Sequence, residues 1–271
     1  MNIVSDLVVI GHLSYDENRT QCGTKTVLGG SAYYTAVGAS LYSKAVRVIS
    51  KVGNDYDIER LKRLGIDTGD VLIETGNTPR FLQVYNTDGS RSFSGDFGVC
   101  EDFSPEYIDD EDVCWVPYVH IGTMPPKQQI KFAEYLIGNG ADVSIDTLEQ
   151  YIEQWPEDVF EAMSAADIIF LNQSQKELFK KLSLLNEKRI VLKKGAEGAE
   201  YFSDDEHISV PAPKVDVIDP TGSGDVLAGA FLTLLARDWD PRYALEEAVR
   251  TASLSVTDFG VDFLLDKIKY R

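Results

Sequence analysis

The stretch from Val215 to Ala236 constrains this chain more than any other. An apolar run, Val215–Ile218, leads into Asp219-Pro220-Thr221-Gly222-Ser223-Gly224-Asp225, and Val226–Ala236 follows with apolar side chains almost all round. A helix without a polar face must be enclosed by other elements. The pattern therefore predicts a strand, a tight turn and a fully buried helix. Gly222 and Gly224 open backbone angles that other residues resist, and they let a ligand approach the main chain. The amides of Gly222, Ser223, Gly224 and Asp225 then point outward at a helix N-terminus, where negative charge is stabilised.

Asp225 admits two readings. It can cap the helix, as Asp and Ser commonly do. It can also stand beside an anion hole and take a proton from a hydroxyl while the amides hold a phosphoryl group. Phosphoryl transfer asks mainly for positioning, charge neutralisation and one base. Other phosphate motifs fail here. No GxxxxGK[ST] occurs, and Leu227 stands where GxGxxG needs its third glycine.

The rest of the chain alternates. Strand-like runs at Leu7–Ile10, Val46–Val52, Tyr118–Ile121, Val143–Ile145, Ile168–Leu171 and Ile190–Leu192 are interleaved with helical patterns at Ser31–Leu41, Glu59–Leu64, Gln128–Ile137 and Glu157–Met163. Such alternation predicts an α/β chain with a mostly parallel sheet covered on both faces. Two regions depart from it. Val71–Ile73, Phe81–Asn86 and Ser90–Ser94, with the turn pair Asp88-Gly89 and together with Thr20–Val27, read as a small sheet standing off the main body. Glu200–Val210 reads as a further hairpin.

The formal net charge of −18 argues against general binding to nucleic acid or anionic membranes, which need basic surface. A small anion needs only a nest of amides and one cation. No apolar run approaches the roughly 18–20 residues of a membrane span. Met1–Ile10 lacks a basic flank and reads as a first strand rather than a signal peptide. Cys22, Cys100 and Cys114 suggest no disulfide framework and read as reduced thiols of a cytoplasmic protein.

Asp219–Gly229 resembles the C-terminal signature of the ribokinase-like (PfkB) carbohydrate kinases, D-x-T-G-A/S-G-D with a further glycine, here Gly229. Gly29-Gly30-Ser31-Ala32 resembles the paired glycines of the same family, with Asp16 between the first strand and the pair. The turns Val52-Gly53-Asn54-Asp55 and Leu64-Gly65-Ile66-Asp67 also fit, so the resemblance runs from about Leu7 to about Gly260. It implies a three-layer α/β/α sandwich with a mostly parallel central sheet, formed by residues 1–271 as one domain. It also implies a small β-sheet lid drawn from about residues 13–27 and 71–95, and a homodimer through that lid.

By position, Asp225 resembles the family's catalytic base, and Gly222, Ser223 and Gly224 resemble its anion hole. Asp16, Gly29 and Gly30 resemble acceptor-binding residues. His12, which follows the first predicted strand, His120, which ends a later one, and Met124 are placed to line the acceptor pocket, with ordinary core or loop positions the alternative for each; Asp146, just past a predicted strand, is placed to contact acceptor or metal. Asn172, Lys193, Gly195, Gly198 and Thr221 resemble the nucleotide side, with Lys194 beside them. The resemblance implies ATP and Mg²⁺, and in some members a monovalent cation, which here would sit at Asp219 and Thr221. Two departures stand out. Gln175 replaces the Glu of an N-x-x-E motif, with Glu177 out of register, and Tyr34 occupies the usual place of an Asn.

The leading expectation is an ATP-dependent phosphotransferase acting on a hydroxyl of a small sugar or polyol. A nucleoside or inositol kinase is an alternative, with Tyr33, Tyr34 or Phe97 stacking on a base. An alternative of another class is a non-catalytic ligand sensor on the same scaffold, for which Gln175 is the support.

Overall fold

The computed structural model describes residues 5–87, 90–108, 113, 115–137, 140–175, 178, 180–181, 188–204 and 206–268. The chain opens with β1 (Leu7–Ile10), β2 (Ser14–Thr20), β3 (Gly23–Gly29), α1 (Ser31–Ser40), β4 (Val46–Gly53), α2 (Ile58–Arg63) and β5 (Val71–Glu74). β6 (Arg80–Tyr85), β7 (Arg91–Asp96), β8 (Tyr118–Ile121), α3 (Pro126–Leu136), β9 (Asp142–Asp146), α4 (Glu149–Gln154) and α5 (Pro156–Ala165) follow. The last part comprises β10 (Ile168–Asn172), β11 (Arg189–Lys193), β12 (Ala199–Phe202), β13 (His207–Val210), α6 (Ser223–Ala236), α7 (Pro241–Ser255) and α8 (Leu264–Ile268).

Nine strands form one sheet in the order β13-β12-β11-β10-β9-β8-β1-β4-β5. Its pairs are parallel from β11 to β5, and β12 and β13 close one edge antiparallel as the expected hairpin. Helices cover both faces, which is why the strands read as unbroken apolar runs. In β1, Leu7 and Val9 enter the core beneath α1, α6 and α7, while Val8 and Ile10 enter the opposite core with Phe132, Val159 and Met163. A second sheet of four strands has the order β3-β2-β6-β7.

Helices α1 and α6 touch backbone to backbone. A Cβ on Gly38 would lie 2.4 Å from the Val226 carbonyl oxygen, and one on Gly229 would lie 2.0 Å from that of Thr35. Only glycine allows this approach, and it presses the second half of α1 against the first two turns of α6.

Three expectations change. Val71–Glu74 does not join the small sheet; it pairs parallel with β4, Ser50 opposite Val71, after the α2 crossover. The small sheet is drawn instead from Ser14–Gly29 and Arg80–Asp96, with β3 starting at Gly23. The large sheet ends at β13, and Val215–Ile218, expected as a strand, forms none. Its end is held by the Val256 carbonyl at the end of α7, which accepts from the amides of Ile218 and Asp219. Asp88-Gly89, Cys114 and Glu177 lie outside the described residues. Among the described residues no helix is long and apolar enough to cross a membrane.

Candidate active site

Two cavities meet at the turn before α6. The larger, about 530 Å³, opens at the carboxyl ends of β1, β9, β10 and β11 and is roofed by the small sheet. Open parallel sheets place their ligand sites at such strand ends. The second, about 410 Å³, is an apolar cleft walled by Ala212, Pro213, Val215, Leu227, Val249 and Val256. Lys193, Gly195, Pro220, Ser223 and Gly224 border both.

The turn itself is built on Gly222. It is the N-cap of α6 with φ 74 and ψ 0, a left-handed conformation, and no side chain caps the helix. Asp225 is therefore not the cap; it lies in the first turn and faces the larger cavity. The Ser223 amide turns back to the Pro220 carbonyl at 3.3 Å, so Ser223 leaves the expected anion hole. The amides of Gly222, Gly224 and Asp225 have no acceptor among the described residues and remain available at the helix's positive end.

Burial pushes the Asp225 carboxyl up to about 7, and the charge of Asp146 adds to the rise, against the pull of Lys193 and Arg91. Lys193 pairs with Asp146. A Cβ on Gly224 would lie 3.0 Å from Lys193 Nζ, so the bare glycine admits the ammonium against the turn. A carboxylate that changes protonation near neutrality is matched to taking a proton from an alcohol.

Asp16, on β2, is buried at the wall of the larger cavity. It accepts hydrogen bonds from Ser14 Oγ at 2.6 Å, Tyr34 Oη at 3.1 Å and the Gly30 amide at 3.3 Å. Burial raises its pKa, while these bonds and Arg91 oppose the rise. Gly29 makes room for it: a Cβ there would fall 2.2 Å from Asp16 Oδ2. Gly30, at φ 89, lines the cavity directly, whereas Gly29 does not. His12 also lines it, with its ring 5.3 Å from Phe97 and 6.2 Å from Phe81. Burial lowers its pKa to about 4, which keeps the imidazole neutral, and Nε2 is buried without a partner among the described residues.

His120 does not reach the cavity. It is buried edge-on to Phe170, with Nδ1 2.9 Å from Ser144 Oγ, and burial lowers its pKa to about 3. β8 runs on to Ile121, so His120 stays within the strand with its side chain fully buried. Met124 likewise belongs to the core. Tyr33 binds Asp262 through its hydroxyl, away from the cavity, and Tyr34 is committed to Asp16.

On the other side, Asn172 ends β10 and lines the larger cavity, and its amide donates to Gln175 Oε1 at 3.0 Å. Gln175 is thus spent on the backbone of the strand end. Lys194 pairs with Glu200 at 2.9 Å and Glu197 at 3.6 Å. Gly198, at φ 100, walls the apolar cleft; a Cβ there would strike the Val210 carbonyl oxygen at 1.9 Å. Thr221 faces the larger cavity rather than the cleft, and its hydroxyl donates to Tyr85 Oη at 3.2 Å. Asp219 borders neither cavity. Its oxygens accept from Asn18 Nδ2 at 2.7 Å and the Thr221 amide at 3.0 Å, so it braces the turn.

Among the described residues no group of three or more His, Cys, Asp or Glu is placed to hold a metal. With Gln175 turned away as well, these side chains do not fit a protein-built metal centre. Magnesium often arrives instead on substrate phosphates and keeps much of its water.

The lid sheet is where the sequence places it, but its cavity-lining residues were not singled out there. Phe81, Gln83 and Tyr85 on β6, with Arg91 and Phe93 on β7, line the cavity. The signal was present: residues two apart on a strand share a face.

Residues 4–268 match the model of the pfkB family carbohydrate kinases. The chain is 30% identical over 268 residues to the cytidine kinase of Thermococcus kodakarensis, covering 90% of this chain and 92% of that one. It is 28% identical over 240 residues to the ATP-dependent ribose-1-phosphate kinase of Halopiger xanaduensis, covering 84% and 79%. Among solved structures, a putative ribokinase II from E. coli in complex with ATP and Mg²⁺ superposes with a TM-score of 0.82 at 20% identity, over 98% of both chains.

Proposed function

Since this chain belongs to the pfkB family of carbohydrate kinases, we propose that it transfers the γ-phosphoryl group of ATP to a hydroxyl of a small ribosyl acceptor. The observation that carries this reading is the junction of the two cavities: the amides before α6 and the carboxylate of Asp225 lie where an apolar cleft meets a polar chamber. The cleft suits an adenine ring, and the chamber suits the triphosphate end and the acceptor. Magnesium bound to the phosphates would neutralise their charge.

In the proposed reaction Asp16 accepts hydrogen bonds from acceptor hydroxyls, with Gly30 and His12 beside it. The reacting hydroxyl gives its proton to Asp225 as its oxygen forms a bond to the γ-phosphorus. The bond from that phosphorus to the bridging oxygen breaks, and ADP leaves. The amides of Gly222, Gly224 and Asp225 hold the transferring oxygens, fixed in advance by the helix. The small sheet acts as a lid that keeps water from the phosphoryl group. Its free edges also offer a surface for pairing with a second copy.

Cytidine and ribose 1-phosphate, after which the two relatives described above are named, share a ribosyl group. A nucleoside acceptor is favoured by one further observation. Phe81, Phe93, Phe97 and His12 form a ring cluster over the acceptor end, with centroids 5.1 to 6.2 Å apart, and such a surface suits a flat base. The test is a phosphorylation screen with ATP and magnesium over ribose, ribose 1-phosphate, cytidine, inosine and myo-inositol. Turnover of ribosyl acceptors is expected; turnover of inositol alone, or of nothing, contradicts the reading.

A further inference from the structure

Tyr34 belongs to neither the phosphate-binding turn nor the small sheet, yet it touches both. It is buried near the start of α1, at 2% exposure. Its hydroxyl donates to Asp16 Oδ2 at 3.1 Å. Its ring lies against the other half of the site: a Cβ on Gly222 would fall 2.3 Å from Tyr34 Cγ and 2.5 Å from both Cδ atoms. The space that a side chain at Gly222 would need is thus filled by the ring.

The tyrosine also has a firm base. The close contacts of Gly38 with Val226 and of Gly229 with Thr35 leave α1 and α6 little freedom to slide. Burial, and then the charges of Asp16 and Asp219, push the Tyr34 pKa well up, so the hydroxyl stays a donor throughout the working pH range. An Asn at this position would be too short to span from α1 to both partners.

We propose that Tyr34 is a positioning residue that holds the acceptor carboxylate, Asp16, and the phosphate-binding turn at Gly222 in one register. The hydroxyl orients Asp16 toward the acceptor. The ring fixes how closely the turn approaches the reacting phosphoryl group. This inference rests on Asp16 being an acceptor-binding residue, and it assigns the two halves of one side chain to two separable kinetic effects.

The test compares Tyr34→Phe and Tyr34→Leu with the wild-type enzyme. The acceptor is whichever of ribose, ribose 1-phosphate, cytidine, inosine or myo-inositol the wild type phosphorylates fastest. Inositol turnover alone would therefore contradict the ribosyl reading while still reporting on Tyr34. Tyr34→Phe keeps the ring and removes one hydrogen bond to a carboxylate. Its acceptor KM should rise about tenfold, with kcat and the KM for ATP within about twofold of wild type. Tyr34→Leu also removes the ring behind Gly222, and its kcat should fall by about a hundredfold. Thermal melts report whether each variant folds. Should the Leu variant fail to fold, the Phe variant decides alone. An unchanged acceptor KM in Tyr34→Phe, or an equal rise in both KM values, overturns the proposal, as does a folded Leu variant with wild-type kcat.

Discussion

The side-chain amide of Asn18 donates to Asp219 at 2.7 Å, and this hydrogen bond joins the small sheet to the turn that begins α6. Both residues are buried. Asp219 in turn holds the Thr221 amide, and Thr221 meets Tyr85 from the next strand of the small sheet. Roof and turn are therefore one hydrogen-bonded unit.

Asn18→Ala should loosen that unit. It removes a hydrogen bond to a buried carboxylate, a loss of about 1.5–3 kcal/mol. Urea denaturation should show a lower midpoint with an unchanged slope. Asn18 does not border the apolar cleft proposed for adenine, so affinity for ATP should change less than turnover does.

The charges around Asp225 make a signed prediction about pH. The base must be ionised, so kcat/KM should rise with pH through about 7, where burial and Asp146 place its carboxyl. Asp146→Asn removes a repelling charge, so Asp225 ionises more easily and the rise should move to lower pH, by roughly one unit. Lys193→Met removes an attracting charge, and the rise should move up. Opposite shifts in the two variants, read from pH–rate profiles, check the assignment; shifts in the same direction would contradict it.

Gly222 is fixed by two constraints at once, its φ of 74 and the Tyr34 ring. Gly222→Ala should cost roughly 1–3 kcal/mol from the backbone and the displaced ring together. It should also lower kcat far more than the stability loss explains. Comparison of the melting temperature with single-turnover rates separates the two effects.

Stability should respond to Asp225 in the direction opposite to activity. A carboxyl whose folded pKa is raised binds its proton more tightly when folded, so it weakens the fold as pH climbs above the unfolded value of about 3.9. At pH 8 Asp225 is ionised at that cost. Asp225→Asn should therefore be more stable than wild type at pH 8, by roughly 1–3 kcal/mol, with the gain vanishing near pH 4. Denaturation curves at the two pH values check it.

Much of this arrangement is legible in the sequence. The apolar runs of β1, β8 and β10 give parallel strands because both of their faces must be covered. Gly222, Gly224 and the apolar run after them announce a tight turn into a buried helix. Other parts depend on contacts between distant residues. Val71–Glu74 looks like any short strand, and only its pairing with β4 places it in the large sheet. His120, at the end of a predicted strand, was a candidate for the cavity, yet its side chain is buried against Phe170 in the core. Tyr34 reads as a departure from a motif until Asp16 and Gly222 are seen on either side of it. The roof residues Phe81, Gln83 and Tyr85 were visible as a two-residue period, but period alone does not say which face meets a cavity.

The most direct measurement is single-turnover phosphoryl transfer by Asp225→Asn, paired with calorimetric titration of a non-hydrolysable ATP analogue. Asparagine keeps the shape and removes the ability to take a proton. The rate should fall by at least about a thousandfold while the analogue binds within a few-fold of wild type. A variant that transfers phosphoryl groups at the wild-type rate would show that Asp225 is not the base.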